Sequence, residues 1–246
     1  MKQLMTFSAL IFFSFSLFAQ KDSSNKLGGL FKKANAILSK NSSSTNGLSG
    51  DEIVSGLKEA LSLGAQKSTD KLSAADGFFK DAAVKILLPK EVRDIESKMR
   101  MFGMGKLFDN AELSMNRAAE DASKSAVPIF LSAIKQMSIT DALNILRGTD
   151  TAATAYLRRT TTLQLTSAFM PIVEESLKKT EANKYWKDVF TTYNRISSKP
   201  VDTDINSYVT GKALDGIFYY VAQEEVNIRQ NPAGRVTDIL KKVFSK

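Results

Sequence analysis

The chain has 246 residues and contains neither cysteine nor histidine. These two absences exclude disulfides, cysteine nucleophiles, serine triads that depend on histidine, the usual zinc sites and di-iron sites built on Glu-x-x-His motifs. The formal net charge is +8, but residues 51–246 contribute only +3 of it and show no basic stripe with interleaved aromatic residues, so we expect no nucleic-acid partner.

Residues 1–19 have the layout of a secretory signal peptide. A lysine at position 2 is followed by an uncharged, largely apolar run from Leu4 to Phe18, and the small residue Ala19 precedes Gln20. We expect cleavage after Ala19 and export, most simply to the periplasm, with secretion or attachment to the envelope as alternatives. A retained membrane anchor is the other interpretation, although the run is shorter than the roughly 20 residues that a membrane span needs.

Residues 20–50 are predicted to be a basic, flexible amino-terminal segment and linker. Its first part carries Lys26, Phe31, Lys32 and Lys33 in a pattern of apolar residues at helical spacing beside lysines. Such a pattern can bind an anionic membrane surface; docking onto the rest of the chain and disorder are the alternatives. The polar run NSSSTNGLSG at the end of the segment predicts a linker.

From position 49 onward the sequence predicts one helix after another. Ser49 and Glu52 form a capping box at the start of the first, and Pro89 suits the first turn of a later one. Further prolines and glycines mark other boundaries, and no stretch alternates for long as a strand does. We therefore predict a single all-α domain over residues 51–246, a bundle of roughly seven to ten helices with no significant sheet.

One short stretch, VDTDINSYV at residues 201–209, has acidic residues spaced somewhat as in a calcium-binding loop. The ligand spacing is incomplete and no closing glutamate follows. Asp202 or Asp204 is therefore expected to cap the next helix. No phosphate-binding loop or dinucleotide fingerprint occurs in the sequence, and we expect neither a metal nor a cofactor.

Two adjacent arginines lie in the predicted helix that contains DTAATAYLRRTT. At about 100° per residue, Arg159 falls in the same stripe as Tyr156 and Leu163, whereas Arg158 falls near Leu165 on the opposite side. Because both sides are apolar, the helix is predicted to be central, and both guanidinium groups then need partners or a wet cavity.

Two glutamates fall on the apolar part of another predicted helix, KALDGIFYYVAQEEVNIR. Glu224 lies in the middle of the face centred on Ile217, and Glu225 lies beside it. A buried carboxylate has to be paired or protonated, and Arg158 and Arg159 are the expected partners. A further pair one turn apart in SMNRAAED is compatible with this site or forms a surface salt bridge. The candidate buried polar site comprises Arg117, Glu120, Tyr156, Arg158, Arg159, Glu224 and Glu225.

The small residues GTDTAAT before the arginines give a related hint. They could present free helix-start N–H groups to an anion, unless Asp150 occupies that position as a cap.

The polar cluster as a whole has two interpretations. Either it is a structural ion-pair network inside the bundle, which we favour, or it lines a pocket where arginines hold an anionic group and Glu224 or Glu225 acts as an acid or base.

Several motifs resemble a known family. They lie at 114–120, 128–159, 171–177, 208–225 and 228–244. Together they resemble, in the same order over about residues 50–245, the bacterial family of domain of unknown function 4197. The resemblance implies an exported, helical, single-domain protein of the bacterial envelope, and no catalytic residue or ligand is carried over from it.

Three hypotheses for the function follow from the sequence. The first is a non-enzymatic binding or interaction domain of the envelope, whose partner is an envelope protein, a lipid or an anionic small molecule. The second is a hydrolase or lyase that uses Glu224 or Glu225 with arginine stabilisation. The third is a structural protein that associates with the membrane surface through its amino-terminal lysines.

Overall fold

The computed structural model describes residues 49–180 except 102 and 104, residues 204–244 except 236, and eight positions between these ranges, namely 186, 187, 190, 191, 193–195 and 200. The predicted signal peptide and the basic segment up to residue 48 lie outside the described residues. So does the rest of the stretch between 181 and 203, including Asp202.

Eight α-helices and one short 3-10 turn make up most of the described chain, and no strand occurs within it. The helices are α1 (Gly50–Ser73), α2 (Lys90–Met101), α3 (Gly105–Ser123), α4 (Ala126–Gln136), α5 (Ile139–Arg147), α6 (Ala152–Lys179), α7 (Ile205–Gln230) and α8 (Asp238–Val243), with the 3-10 turn at Pro232–Gly234. The prediction of an all-α bundle of seven to ten helices is confirmed.

The predicted helix starts are found where the sequence places them. Ser49 and Glu52 form the capping box of α1, and Pro89 directly precedes α2. Asp204 caps α7 by accepting hydrogen bonds from the backbone N–H groups of Asn206 and Ser207. These caps satisfy N–H groups that have no partner inside their own helix.

The two longest neighbouring helices, α6 and α7, run antiparallel at the centre of the bundle. Thr154 near the start of α6 contacts Glu225 near the end of α7, whereas Met170 far along α6 contacts Thr210 near the start of α7. Helices α3, α4 and α5 also pack on α6, and α1 packs on α7. The core formed between them is apolar and rich in phenylalanine.

Helix α6 buries a row of residues spaced four apart rather than a straight stripe. Each step of four residues turns about 40° around the helix axis, so the buried side changes along the length of α6. The row consists of Ala153, Leu157, Thr161, Leu165, Phe169, Val173 and Leu177.

An irregular loop at residues 74–89 connects α1 to α2. It begins with a tight turn in which Asp76 has a positive φ of 67°. A Cβ atom on Gly77 would lie only 2.5 Å from the backbone oxygen of Lys71, so no larger residue fits there. The turn therefore folds the chain back against the end of α1.

The carboxyl-terminal part of the chain returns to α1. A Cβ atom on Gly56 would lie 2.7 Å from a side-chain carbon of Val243, which shows how closely α8 packs on α1. The buried Arg235 donates to the backbone oxygens of Ile228 and Arg229 and so closes the end of α7. None of the helices described in the structure is long and apolar enough to span a membrane.

Candidate functional site

The structure distributes the seven predicted site residues over separate places instead of one buried cluster. Glu225 is buried at the start of α6. Arg117 and Glu120 hold the 74–89 loop. Arg158 and Arg159 are exposed on α6, and Glu224 pairs with Lys67 of α1.

Glu225 binds the amino-terminal end of α6. Its Oε1 accepts a hydrogen bond from the backbone N–H of Ala153 at 2.9 Å, and its Oε2 accepts from the N–H and the hydroxyl of Thr154 at 2.8 and 2.9 Å. A carboxylate at a helix start satisfies unpaired N–H groups and interacts favourably with the helix dipole. The anion at the GTDTAAT helix start is thus Glu225 of the same chain, while Asp150 accepts a hydrogen bond from Gln230.

Arg229, one turn after Glu225, completes this arrangement. Its Nε and Nη2 donate to Glu225 Oε1 at 3.1 and 3.0 Å, and its Nη1 and Nη2 also donate to the backbone oxygens of Leu146 and Ile145. These oxygens belong to the last turn of α5. The pair of Glu225 and Arg229, which we call the buried clamp, therefore holds the end of α5 and the start of α6 against α7.

The prediction that Arg158 or Arg159 pairs with Glu225 is wrong, because neither arginine reaches it. Arg158 is exposed, forms an ion pair with Asp215 at 3.3 Å and lies over the ring of Phe218. Arg159 is exposed above the ring of Tyr156.

The helical angles misplaced Arg159 because they put it in one apolar stripe with Tyr156 and Leu163, and that stripe is not buried along its whole length. Leu163 is 86 % exposed. Tyr156 itself is buried and donates a long hydrogen bond to the backbone oxygen of Ala133. Burial raises the pKa of its hydroxyl.

Glu224 lies on the seam between α7 and α1 and not at an arginine. Its Oε2 is 3.6 Å from Nζ of Lys67 and makes no hydrogen bond within the described part of the chain, while 28 % of its side chain is exposed. Glu224 and Glu225 thus face different surroundings although they are neighbours in the sequence.

A second clamp joins α3 to the 74–89 loop. The buried Glu120 accepts hydrogen bonds from the backbone N–H groups of Phe78 and Phe79 at 3.0 and 3.1 Å, and it pairs with Arg117 at 2.6 Å. Arg117 also pairs with Asp76. Hydrogen bonds from Lys80 and Arg117 hold the pKa of Asp76 below its ordinary value. We call this group the loop clamp.

Asn116 anchors the other end of the same loop. Its side-chain oxygen accepts from the backbone N–H of Ile86, and its nitrogen donates to the backbone oxygens of Ile86 and Glu112. Both backbone hydrogen-bonding groups of the buried Ile86 are thereby satisfied by one side chain.

The interpretation of Arg117 and Glu120 as a surface salt bridge is incomplete, since Glu120 is buried and accepts hydrogen bonds from the loop backbone.

Sequence reasoning missed a third polar group beside the loop. The hydroxyl of Tyr220 donates a short hydrogen bond to Asp81, and Lys71 pairs with Asp81 at 3.0 Å while lying 3.8 Å from the centre of the Tyr220 ring. Burial acts to raise the pKa of Asp81, but the hydrogen bonds from Tyr220 and Lys71 outweigh it and lower that pKa. Tyr220 lies 139 positions from Asp81 in the sequence, and the three residues form no recognisable motif.

An apolar cavity adjoins the buried clamp. The space between its walls, together with the opening to solvent, is about 320 Å³. Carbon-rich side chains of α1, α7 and the segment after α8 surround it, and the guanidinium group of Arg229 lies 5.9 Å from the ring of Phe244 at one side. The lining residues are Leu57, Ala60, Leu61, Gly64, Ala153, Val221, Glu225, Ile228, Arg229 and Phe244.

A second, smaller cavity of about 240 Å³ lies between α2, α3 and the helical residues near position 190. Trp186 lies at its wall and is only 2 % exposed. The residues that line it are Leu88, Val92, Leu107, Phe108, Ala111, Trp186 and Phe190. Apart from the indole N–H of Trp186, these side chains have no polar group.

Metal-ligating side chains do not gather in the part of the chain that the structure describes. No group of three or more acidic residues that could hold a metal ion is found there. The acidic side chains of the two clamps instead accept hydrogen bonds from arginines and backbone N–H groups.

Comparison with known proteins supports the resemblance seen in the motifs. The model of a family described as "Protein of unknown function (DUF4197)" matches residues 47–245. No curated protein and no solved structure matches the chain. Because the matched range spans most of the 246 residues, the chain belongs to the DUF4197 family.

Proposed function

We propose that this protein is an exported, non-enzymatic binding domain of the bacterial envelope that holds the alkyl part of a lipid. The observation that supports this function best is the apolar cavity between α1, α7 and Phe244. Export and an envelope location rest on the signal-peptide pattern of residues 1–19.

The bonding of the buried clamp favours an apolar ligand over an anionic one. Every nitrogen of the Arg229 guanidinium group already donates to Glu225 or to the end of α5. An anion entering this cavity would have to displace Glu225, which also holds the start of α6. An alkyl chain needs only the carbon surface of the cavity and leaves these bonds intact.

The same bonding makes a carboxylate-dependent enzyme the weaker hypothesis. Glu225 accepts five hydrogen bonds, so it has little capacity left to take a proton from a substrate. Oε2 of Glu224 makes no hydrogen bond within the described residues, but the cation beside it is Lys67 and not an arginine. A site for catalysis would need these groups to converge on one reacting atom.

The membrane-association hypothesis concerns residues outside the described part of the chain. Lys26, Phe31, Lys32 and Lys33 remain the proposed contacts with an anionic bilayer. Liposome flotation of the mature protein with and without residues 20–48 tests this hypothesis, and equal flotation of the two forms would contradict it.

The lipid hypothesis is tested by native mass spectrometry after incubation with a lipid extract from the bacterial envelope. We expect a bound acyl lipid on the unmodified protein and an occupancy at least about tenfold lower for Ala60→Leu, which fills the cavity from α1. Ala155→Leu, the same change at an exposed position of α6, is the control and should bind normally.

The opposite result is equally informative. If no lipid binds and Ala60→Leu raises the melting temperature, the cavity is a packing defect that the larger side chain repairs. The proposed function would then be wrong.

A further inference from the structure

The apolar cavity beside the buried clamp has little free room while its walls stay in place. The free space inside it, counted for the centre of a water-sized guest, is about 20 Å³, which suits one water molecule. The alkyl chain of a lipid is much larger than one water molecule. A lipid can therefore enter this cavity only when part of its wall moves away.

Three sides of the cavity are formed by helices at the centre of the bundle. Leu57 of α1, Ala153 of α6 and Val221 of α7 lie in its wall, and each is at most 3 % exposed. The buried clamp also ties the start of α6 to α7. Moving any of these helices would expose core side chains and break buried hydrogen bonds, which costs much free energy.

The fourth side is formed by Phe244, which belongs to a much smaller element. It directly follows α8, a helix of six residues that packs mainly on α1. Phe244 is only partly buried, and so are Ile239 and Val243, the residues of α8 that approach Gly56. A segment with few buried apolar contacts opens at a lower cost in free energy than a central helix does.

The chain is fixed directly before this segment. The buried Arg235 donates from Nε to the backbone oxygen of Ile228 at 3.0 Å and from Nη2 to that of Arg229 at 2.8 Å. Arg235 thus holds the chain against the end of α7, and α8 begins at Asp238. A hinge for the movement of α8 therefore lies between Arg235 and Asp238.

We propose that residues 238–244, which we call the latch, move away from α1 on this hinge, admit the alkyl chain of a lipid and close over it. This step rests on the proposed function, because it names the part of the wall that opens for the lipid. Opening the latch uncovers the carbon surface of the cavity and leaves the hydrogen bonds of the buried clamp in place.

A disulfide that can be formed and reduced tests the latch. A Cβ atom on Gly56 would lie 3.5 Å from Cβ of Val243, within the range of about 3.5–4.5 Å that disulfides need. The double substitution Gly56→Cys and Val243→Cys is therefore expected to join the latch to α1 when it is oxidised. Neither residue lines the cavity, and the chain has no other cysteine, so the reduced form of the same variant is the matched control.

The first measurement is hydrogen exchange of the full mature protein without lipid. We expect the backbone N–H groups of the latch to exchange at least about tenfold more slowly in the oxidised form than in the reduced form. Circular dichroism checks that both forms are folded. Equal exchange of the latch in the two forms would contradict the proposed opening.

A second pair of variants does not depend on the disulfide. Val243→Ala removes part of the contact with α1, so the latch should exchange faster than in the unmodified protein. Lys241→Ala changes a side chain of the same helix that is 61 % exposed and should have little effect. Faster exchange in both variants would mean that α8 frays in general, and the latch would be wrong.

The second measurement is the binding of dodecylphosphocholine, below the concentration at which it forms micelles, by isothermal titration calorimetry. We expect the reduced form to bind it as the unmodified protein does and the oxidised form to bind it at least about tenfold more weakly. Equal affinity of the two forms would show that the alkyl chain enters without the latch. The proposed function would then stand and the latch would be wrong.

The opposite combination of results separates the two proposals. If the disulfide slows exchange of the latch, but the unmodified protein binds neither dodecylphosphocholine nor a lipid from the envelope extract, the segment opens for another reason. The proposed function and the role of the latch as an entrance for lipid would then both be wrong, and only the hinge would remain.

Discussion

The buried clamp and the loop clamp are built in the same way and differ in their exposure to solvent. In each, one glutamate accepts hydrogen bonds from two successive backbone N–H groups and pairs with an arginine one turn away on its own helix. The side chain of Arg229 is 10 % exposed, whereas that of Arg117 is 37 % exposed. The comparison separates the effect of the bonding pattern from the effect of burial.

The two arginines differ in their remaining hydrogen-bond and ion-pair partners, in line with their burial. Arg229 turns inward and donates to the backbone at the end of α5. Arg117 turns outward and pairs with Asp76, whose side chain is 26 % exposed. The first arginine connects secondary-structure elements, and the second joins a network in contact with water, where ion pairs contribute less.

The largest effect is expected from Glu225→Ala. The substitution leaves the start of α6 without its acceptor and Arg229 buried without its carboxylate, so we expect the free energy of unfolding in urea to fall by about 3–5 kcal/mol. The adjacent change Glu224→Ala is the control and should cost less than about 1 kcal/mol, because the Glu224 carboxylate forms its ion pair with the half-exposed Lys67 at 3.6 Å.

A double-mutant cycle makes this prediction sharper. Combining Glu225→Ala with Arg229→Met removes both charges, and the double variant should be more stable than the sum of the single effects predicts. Additive effects would mean that the two residues act independently, and the idea of a clamp would be wrong.

A smaller effect is expected from Glu120→Ala. The N–H groups of Phe78 and Phe79 lose their acceptor, but Arg117 is exposed enough to be hydrated, so we expect a loss of about 2–3 kcal/mol. Asp121→Ala, one position further and half exposed, should be nearly neutral in the same urea titration. A loss from Glu120→Ala as large as that from Glu225→Ala would show that burial of the arginine is unimportant.

The two clamps also show which parts of the site can be predicted from sequence. The periodicity, caps and breakers determined the all-α class and several helix starts, because these depend on residues close in the chain. The burial of Glu225 could be predicted for the same reason, since it follows from the spacing of apolar residues along its own helix. Its partner Arg229 lies four residues later, at the spacing at which charged pairs meet on a helix, so the sequence also contains the signal for this pair.

The positions of Arg158 and Arg159 could not be obtained from one helical angle. A buried row with a spacing of four residues winds around a long helix, and its direction depends on which neighbours α6 meets. Those neighbours are distant in the sequence. The contacts of Glu120 with Phe78 and Phe79 span about 40 residues and likewise depend on tertiary packing. Only the turn at Asp76 and Gly77 beside them has a local sequence signal, the Asp-Gly pair.

The smallest effect, and the one that separates charge from geometry in the loop clamp, is expected from Asp76→Asn. Asparagine tolerates the positive φ of this position, so the substitution removes the charge and keeps the turn. Because the folded-state pKa of Asp76 is lowered, its ion pairs stabilise the protein above the unfolded-state pKa, near 3.9, and this stabilisation is lost as the pH falls through the folded-state pKa. Urea midpoints should therefore be lower for the variant at pH 7 and converge with those of the unmodified protein in acid or in about 1 M salt. A difference that stays constant with pH and salt would mean that the turn geometry, and not the charge of Asp76, is what the loop clamp requires.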